Sequence, residues 1–403
     1  MKIGIYLEGS PEMGGGFFQS IKSSLLLLDI KEHNQKIELI ITNKKTEIYL
    51  KKKNIQNKLF KLNKAFGYFS QLFEVDCLKD ILNKSKINHP FYNFIKKNKY
   101  DLVIFLGPSQ MCKFCKEVSF ISNIWDLDHK KNSQFPEHNL NNIYEQKEKL
   151  LKEIVSRAFK ILVPHESNKS DLINYYKADK NRVITQNFIP MLPTIYNENK
   201  HDVKLYKNLF DNFKLPKDKI IIFYPAQFWA HKNHKYIIDA AEILKKKNNK
   251  KYLFVFCGGK KENFKYIKNL IIKKQLDNSI KIFNYISDDE VISFYLNSDG
   301  VVMPTYCGPT NLPLYESFYF KKIIFYTEDL IPNDRINDHL IKIDISSPTD
   351  LCKKLHIYSD TKKIDEMVED NYDFYKLICN ENDFKDTYKK LLDDFSYLSS
   401  RWK

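Results

Sequence analysis

The chain has 403 residues, of which 43% are hydrophobic, so it is long enough to bury large cores and most simply forms two domains. Its net charge of +15 would suit a polyanion, but only four of its 65 basic residues are arginine, the main base-reading side chain, which favours an anionic membrane surface over nucleic acid. No stretch is apolar over the length of a bilayer, and Glu8 interrupts the first apolar run before a secretory signal develops, so we expect a cytoplasmic protein.

Short apolar runs typical of strands alternate with helical patterns along the whole chain. The runs in the first half span residues 2–7, 37–42, 101–106, 120–125, 160–163 and 182–185. Those in the second half span residues 219–224, 252–257, 280–283, 300–303 and 322–326. Strands that alternate with helices favour parallel sheets covered on both faces, so the sequence predicts the α/β class with two doubly wound, Rossmann-like domains.

The predicted domain bounds follow from where this alternation is interrupted. A polar, proline-marked stretch between the two sets of strands lacks a sustained apolar period. We place a hinge there, at residues 191–218, between an N-terminal domain of residues 1–190 and a C-terminal domain of residues 219–383. Residues 384–403 have a helical pattern and form the last predicted element.

Three glycines, Gly14, Gly15 and Gly16, stand between the first strand and a helical pattern that runs over residues 17–30. Glycines at such a junction let a ligand approach the backbone closely, and the start of the helix adds a positive end. The spacing is not that of a dinucleotide fingerprint. Taken alone, the triple glycine is equally typical of a flexible loop.

Residues 51–73 combine an apolar face with many lysines. The apolar residues recur at alternating gaps of four and three, at Ile55, Leu59, Leu62, Phe66, Phe69 and Phe73. A basic amphipathic helix of this kind can lie in a membrane interface. Packing of the apolar face on the sheet is the commoner outcome, and it is the interpretation we favour.

A polar motif ends the strand predicted at residues 120–125. It reads Trp125-Asp126-Leu127-Asp128-His129-Lys130, and Phe135-Pro136-Glu137 follows a few residues later. Alternate positions of an extended segment would let Asp126 and Asp128 bind one divalent ion. We keep this metal site as an alternative interpretation.

The second domain opens with a motif at a strand-to-helix turn, Gln227-Phe228-Trp229-Ala230-His231-Lys232-Asn233-His234. The residues that follow it fall on one apolar helical face. A lysine at the start of a helix opposes the helix dipole unless it serves an anion. Lys232 is therefore a candidate anion-binding residue.

Residues 283–290 form another strand-to-helix junction. Ser287 and Glu290 have the spacing of a capping box. Tyr285 and Ile286 come just before it, and they either contact the base of a nucleotide or pack in the core.

The most informative stretch is residues 304–316, which follow the apolar run that ends at Met303. It reads as a strand end, a tight loop and a helix start, with Pro313 suited to the first helical turn. The backbone N–H groups around Asn311 and Leu312 then lack helical partners and can hold an anion. Glu316 would lie one turn inside the helix, where its carboxylate can accept hydrogen bonds from ligand hydroxyls. The implied ligand is a nucleotide with a sugar attached.

Together these motifs resemble the donor site of retaining glycosyltransferases of family 4, which have the two-domain fold called GT-B. The resemblance implies that Lys232 neutralises the donor diphosphate, with Gln227 at the position of the family's usual arginine. It implies that Gly14, Gly15 and Gly16 face the donor phosphates across a cleft, and that the C-terminal helix crosses back to the N-terminal domain.

The loop at residues 304–316 departs from the family's usual form, which has two glutamates eight positions apart. Glu316 matches the second, but Gly308 stands in place of the first. The chain instead matches the Gly-Pro-Thr-Asn-x-Pro version of a subgroup resembling bacterial polysaccharide mannosyltransferases. The donor-binding residues predicted from this loop are Gly308, Pro309, Thr310, Asn311, Leu312 and Glu316.

The subgroup's Trp-Asp-Leu-x-His pattern and its downstream Phe-Pro-Glu are also present. By that resemblance His129 faces the transferred sugar and Asp126 helps to position the loop. We count both with Lys232 as candidate catalytic residues. Tyr285 and Ile286 occupy the position at which the family often packs the nucleotide base.

The resemblance implies a retaining glycosyltransferase that moves a hexose, with mannose a candidate, from a nucleotide-diphosphate sugar to a saccharide or lipid-linked saccharide. Such enzymes serve surface polysaccharide or glycan biosynthesis. No cofactor and no metal are expected, since lysine and helix N-termini stabilise the diphosphate. The expected partners are the nucleotide sugar, the acceptor and the anionic inner face of a membrane, but not nucleic acid.

Two other functions remain open. A nucleotide-sugar 2-epimerase shares the fold and would need acid and base residues, which Asp126, Asp128, His129 and Glu137 could supply. It would convert a nucleotide sugar without an added acceptor. A non-catalytic polyanion-binding protein would use the lysine excess, and it would show steep salt dependence without binding a nucleotide sugar.

Overall fold

The computed structural model describes residues 1–30, 35–61, 88–308, 312–331, 336 and 339–402. The chain divides into two compact units. The first unit consists of Met1–Trp125, Glu145–Ile189 and Glu381–Lys403. The second consists of Asp126–Tyr144 and Pro190–Asn380.

The described part of the first unit contains a seven-stranded parallel sheet. Its strands are β1 (Lys2–Leu7), β2 (Lys36–Ile41), β3 (Lys58–Leu59), β4 (Leu102–Phe105), β5 (Ser119–Asn123), β6 (Lys160–Val163) and β7 (Val183–Thr185). They lie in the order β3-β2-β1-β4-β5-β6-β7, so the topological switch point of this sheet lies between the neighbouring strands β1 and β4.

Helices connect these strands. Within the described residues, those of the first unit are α1 (Gly15–Leu28), α2 (Lys44–Lys52), α3 (Pro90–Lys97), α6 (Ile143–Arg157, which begins in the second unit), α7 (Glu166–Tyr176) and α16 (Glu381–Ser399). Two short helices precede α6, namely α4 (Asp128–Lys131) and α5 (Pro136–Asn139), and both belong to the second unit. The C-terminal helix α16 contacts α1, where Lys22 forms an ion pair with Glu381.

The second unit contains a six-stranded parallel sheet. Its strands are β8 (Ile220–Pro225), β9 (Tyr252–Cys257), β10 (Ile280–Phe283), β11 (Gly300–Met303), β12 (Ile323–Thr327) and β13 (Ile341–Ile343), in the order β10-β9-β8-β11-β12-β13. Its remaining helices are α8 (Leu192–Glu198), α9 (Val203–Asp211), α10 (His234–Lys246), α11 (Phe264–Lys273), α12 (Asp288–Asn297), α13 (Leu312–Tyr319), α14 (Pro348–Lys354) and α15 (Thr361–Ile378).

Both sheets are buried on their two faces, as expected for parallel strands linked by helices. Every residue of β4 and of β9 is buried, which explains why these strands read as continuous apolar runs. The predicted class, two doubly wound Rossmann-like domains, is confirmed. Two short edge strands, β3 with two residues and β13 with three, were not predicted from the sequence.

The stretch predicted to be a hinge, residues 191–218, carries α8 and α9 and belongs to the second unit. Asp202 caps α9, since its side chain accepts a hydrogen bond from Leu205 N–H. The buried Tyr206 then packs toward α12, where its hydroxyl donates to Asp289 at 3.2 Å. The polar composition conceals these helices because only one narrow face of each is buried.

The prediction of one amphipathic helix over residues 51–73 is wrong for the part that the structure describes. Helix α2 ends at Lys52, and Asn54 adopts a positive φ of 56°, a conformation that does not continue a helix. The chain then enters β3. Residues 62–73, with Phe66 and Phe69, lie outside the described residues.

Residues 126–144 belong to the second unit, whereas the sequence placed all of residues 1–190 in one domain. They carry α4, α5 and most of the polar motif that follows Trp125. None of the helices in the described part of the chain is both long enough and apolar enough to cross a membrane.

Candidate functional site

The second unit has its topological switch point between β8 and β11. These strands are neighbours in the sheet, and the chain leaves β8 toward β9 on the other side. In open parallel sheets, ligands bind where the loops from two such strands diverge at their carboxyl ends. The two loops here are residues 226–233 and residues 304–308, and both were predicted to contact a donor diphosphate.

The loop after β8 is ordered by its own side chains. The Trp229 indole donates a hydrogen bond of 2.9 Å to Oε1 of Gln227, while the hydroxyl of Tyr224 donates to the backbone carbonyl of Lys232. Asn233 then adopts a positive φ of 52° and leads into α10. Lys232 therefore sits at the end of a tight turn immediately before a helix start.

His231 links the two loops. Its backbone carbonyl accepts a hydrogen bond of 2.8 Å from Tyr306 N–H and one of 3.2 Å from the hydroxyl of Thr305. The Thr305 hydroxyl also donates to the carbonyl of Cys307 at 2.8 Å. The turn that carries Lys232 is thereby held against the loop that leads to Gly308.

Residues 126–144 pack on the same two loops. Glu137 Oε1 accepts a hydrogen bond of 3.0 Å from His231 N–H and also contacts His231 Nδ1. The Phe135 ring lies 5.3 Å from the ring of Tyr306, and His138 Nε2 lies 3.9 Å from Cys307 Sγ. The Phe-Pro-Glu motif is thus a direct neighbour of the Lys232 turn.

The charges around Lys232 are unusual for a lysine at a helix start. Burial lowers the pKa of Lys232, and the negative charges of Asp128, Asp126 and Glu137 act in the opposite direction. Three carboxylates of the segment 126–144 therefore act electrostatically on one ammonium group. These carboxylates favour the charged form of Lys232, which is the form that can bind an anion.

The His231–Glu137 pair is a carboxylate beside a neutral imidazole at neutral pH. Burial, followed by the positive charge of Lys232, lowers the pKa of His231 to about 4. Burial alone would raise the pKa of Glu137, but the hydrogen bonds from His231 outweigh it and lower that pKa.

Glu316 lies on α13, one turn from its start, as predicted, and Pro313 is the second residue of the helix. The Glu316 side chain is buried, and Oε2 accepts a hydrogen bond of 2.7 Å from the Tyr295 hydroxyl. Burial raises the pKa of Glu316 to about 7, and the Tyr295 hydrogen bond only partly offsets it. Around neutral pH this carboxyl group can therefore be either a donor or an acceptor of hydrogen bonds.

Gly308 has a φ of 96°, a conformation that glycine adopts far more readily than other residues. The glutamate that the sequence resemblance led us to expect at this position would be strained on such a backbone. Pro309, Thr310 and Asn311 lie outside the described residues. Leu312 is the first residue of α13.

The junction before α12 has the predicted cap. Ser287 and Glu290 form a reciprocal capping box, in which the Ser287 side chain accepts from Glu290 N–H and Glu290 accepts from Ser287 N–H. Tyr285 is 56% exposed, and Ile286 is partly exposed. Simple core packing therefore does not describe Tyr285, and its contact with a base stays a prediction.

In the first unit the three glycines form the start of α1, with Gly14 as its N-cap. A Cβ atom on Gly16 would lie 2.8 Å from Cζ3 of Trp125. The Trp125 indole donates a hydrogen bond of 2.9 Å to the carbonyl of Leu106, which fixes the ring there. Gly16 thus has a packing reason of its own, which the sequence did not reveal.

The two candidate catalytic residues of the Trp-Asp-Leu-x-His motif lie around α4. Asp126 Oδ1 accepts a hydrogen bond of 3.1 Å from Asp128 N–H, which holds the turn before the helix. His129 is buried, with its ring 5.4 Å from that of Tyr144. Among the described residues no three His, Cys, Asp or Glu side chains are arranged to hold a metal ion.

The structure therefore brings together Lys232, Asp126, Asp128, Glu137 and the loop before Gly308 within one unit. Gly14, Gly15 and Gly16 belong to the other unit. The contact between Glu137 and His231 was not predicted, although both residues lie in motifs that the sequence makes visible. The only available signal was a histidine directly before the candidate lysine.

Comparison with known proteins identifies the domain that carries these loops. Residues 206–373, all within the second unit, match the family model of the glycosyl transferases group 1. The chain therefore carries a glycosyl transferases group 1 domain. No curated protein sequence matches the chain.

Three solved structures illustrate the similarity of fold. HepE from Anabaena, in complex with UDP and glucose, has a TM-score of 0.71 at 12% identity, covering 98% of this chain and 100% of its own. A glycosyltransferase from Rickettsia africae has a TM-score of 0.70 at 18% identity, and the match covers 98% of each chain. The third structure is a TarM variant from S. aureus in complex with Fondaparinux, alpha-GlcNAc-glycerol and UDP. Its TM-score is 0.69 at 12% identity, and the match covers 98% of this chain and 99% of that chain. The fold of this chain is that of the GT-B glycosyltransferases.

Proposed function

We propose that this chain is a retaining glycosyltransferase of the family 4 type. It transfers a hexose, with mannose the first candidate, from a nucleotide-diphosphate sugar to a saccharide or lipid-linked saccharide acceptor in surface polysaccharide or glycan synthesis. The observation that carries this proposal is the His231 junction. It holds the Lys232 turn against the loop before Gly308, at the switch point of a glycosyl transferases group 1 domain.

The chemistry follows from where charge develops. When the bond between the sugar and the diphosphate breaks, negative charge builds up on the leaving phosphate. Lys232 and the backbone N–H groups of Asn311 and Leu312 would stabilise that charge, an effect that is large in a site already organised for it. Gly14, Gly15 and Gly16 would add backbone contacts to the phosphates.

The remaining residues would bind rather than react. The acceptor oxygen would bond to the anomeric carbon on the face from which the diphosphate departs, and the departing phosphate oxygen would take the acceptor's proton, so no protein nucleophile is needed. Because lysine and helix N-termini would stabilise the diphosphate, no metal is expected. Glu316 would accept hydrogen bonds from the ribose hydroxyls, Tyr285 and Ile286 would pack on the base, and His129 would face the transferred sugar. Asp126 would hold the turn that carries His129.

The similar structures support a nucleotide sugar as the donor. HepE binds UDP and glucose, and TarM was solved with UDP and a glycosylated glycerol. A lipid-linked acceptor would bring the protein to the anionic inner face of a membrane. That peripheral contact is part of the proposal and rests on the lysine excess of the chain.

Thermal stabilisation by a panel of nucleotide sugars tests the donor, because a ligand that binds only the folded state raises the melting temperature. The panel should include UDP and GDP sugars, and each hit should then be incubated with and without saccharide acceptors. Glycosylated acceptor with unchanged anomeric configuration is the expected product. Conversion of the donor without an acceptor would indicate an epimerase, and no stabilisation by any nucleotide sugar would refute the proposal.

A further inference from the structure

The pairing of Glu137 with His231 has no role in the chemistry described so far. Glu137 lies on a four-residue helix, α5, in the segment 126–144, and only 9% of its side chain is exposed. A single oxygen, Oε1, accepts the His231 backbone N–H and contacts the ring nitrogen Nδ1. One carboxylate oxygen therefore fixes both the backbone and the ring of the residue that precedes Lys232.

The protonation states define this contact further. The groups that act on the His231 ring are Glu137, Lys232 and His138. With Glu137 ionised and His231 neutral, the carboxylate can only accept, so the hydrogen of the imidazole lies on Nδ1. Nε2 of His231 is then the acceptor nitrogen.

His231 is the junction through which this contact reaches the proposed donor site. Its carbonyl accepts hydrogen bonds from Tyr306 and Thr305, and Lys232 follows directly in the chain. The ring is also covered by His138, which stacks at 6.1 Å with an interplanar angle of 18°. Displacing His231 would therefore move Lys232 and the loop before Gly308 together.

We propose that Glu137 is a positioning residue for the donor diphosphate, and that it acts through His231 to hold the Lys232 turn in place. This inference rests on the proposed function. Glu137 itself contacts neither phosphate nor sugar in this scheme. Its contribution is to keep one conformation of the turn populated before the donor arrives, which reduces the ordering cost of binding.

A double-mutant cycle tests the route of this effect, with UDP and GDP as probes and the dissociation constant measured by calorimetry. We expect Glu137→Ala to weaken binding of the preferred nucleotide about tenfold. His231→Ala should weaken it similarly, and the double variant should be no weaker than either single variant. Additive losses would overturn the proposal, because Glu137 would then act by another route.

Conservative and remote variants separate positioning from loss of folding. Glu137→Gln should bind nucleotide within about threefold of the wild type, since its amide oxygen can still accept from His231. Glu145→Ala removes an exposed carboxylate eight residues further along and should not change affinity. Binding by Glu137→Ala that equals wild type, with an unchanged melting temperature, would also overturn the proposal.

A readout independent of nucleotide keeps this inference apart from the proposed function. In protein labelled with ¹⁵N-histidine, the His231 signals, assigned by their loss in His231→Ala, should show hydrogen on Nδ1 at neutral pH. The signals should change to a mixture of tautomers in Glu137→Ala. If no nucleotide binds the wild type, the proposed function fails while this spectrum still tests the pair; hydrogen on Nε2 in the wild type would refute the pairing itself.

Discussion

The Tyr295 hydroxyl donates a 2.7 Å hydrogen bond to a Glu316 carboxylate that is buried from solvent. Burial raises the pKa of Glu316 from its ordinary value of 4.5 to about 7. Between those pH values the folded protein holds a proton that the unfolded chain has released, so the free energy of unfolding falls as the pH rises through this window.

Glu316→Gln should therefore gain stability relative to the wild type as the pH is raised. We expect a gain of up to about 3 kcal/mol between about pH 5 and about pH 8, because the amide does not ionise. Urea unfolding of both proteins at the two pH values measures it. A difference that is the same at both pH values would show that Glu316 does not titrate in this range.

Nucleotide binding should depend on pH with the opposite sign. Ribose hydroxyls donate hydrogen bonds to an ionised carboxylate better than to a protonated one, so bound nucleotide favours the charged form of Glu316. The affinity of the wild type for UDP or GDP should rise as the pH passes upward through about 7. Titrations of Glu316→Gln should show a weaker dependence, and an equally steep one would assign the effect to another group.

Lys232→Ala should lower turnover far more than it lowers stability. Removing one charge-stabilising group from such a site costs about a hundredfold or more in kcat. Burial disfavours the charge of Lys232 in the unliganded protein, so its loss should shift the melting temperature by only about 2 °C. The matched control is Lys235→Ala, three residues on, where an exposed lysine pairs with Asp239. Equal activity in Lys232→Ala would count against the assigned role.

Gly308→Ala should destabilise the second unit by about 1 kcal/mol or more, because the positive φ of 96° disfavours any side chain. Gly308→Glu should be at least as destabilised and should not increase activity. Gly259→Ala is the control, since a Cβ there would meet nothing closer than 3.8 Å. Chemical unfolding of the three variants distinguishes backbone strain from crowding.

Gly16→Ala should destabilise the protein although alanine usually favours a helix over glycine. The added methyl would lie within 2.8 Å of the Trp125 ring, and overpacking of this kind costs about 1 to 3 kcal/mol. Gly15→Ala, on the neighbouring residue of α1, should be neutral or slightly stabilising. Unfolding curves of both variants test the contact, and equal stability would assign no packing role to Gly16.

The sequence predicted the sheet architecture well because parallel strands are buried on both faces. Runs such as Tyr252–Cys257 and Gly300–Met303 contain almost nothing but apolar residues, and the structure reproduces their bounds. The helices at residues 192–211 were missed because each buries only a few side chains, such as Tyr206 and Phe210, within a polar stretch.

The separate motifs of the candidate site could be predicted from the sequence, but the contacts between them could not. The loop after β8, the capping box at Ser287 and the position of Glu316 follow from local spacing, so a single stretch of sequence reveals each of them. Which side chain meets His231 is decided by packing between segments 94 residues apart. No periodicity in the sequence encodes such a contact, so the partner of Glu137 could be identified only in the folded structure.

Residues 126–144 complete the second unit although the chain on both sides of them belongs to the first. A recombinant fragment of residues 190–380 would lack Phe135, Glu137 and His138. Their contact partners Tyr306, His231 and Cys307 would then be exposed to solvent on that side. Dissection of this protein into independently expressed halves should consequently fail at any single cleavage point. A fusion that tethers the 19-residue piece to the C-terminal fragment is the minimal unit to express.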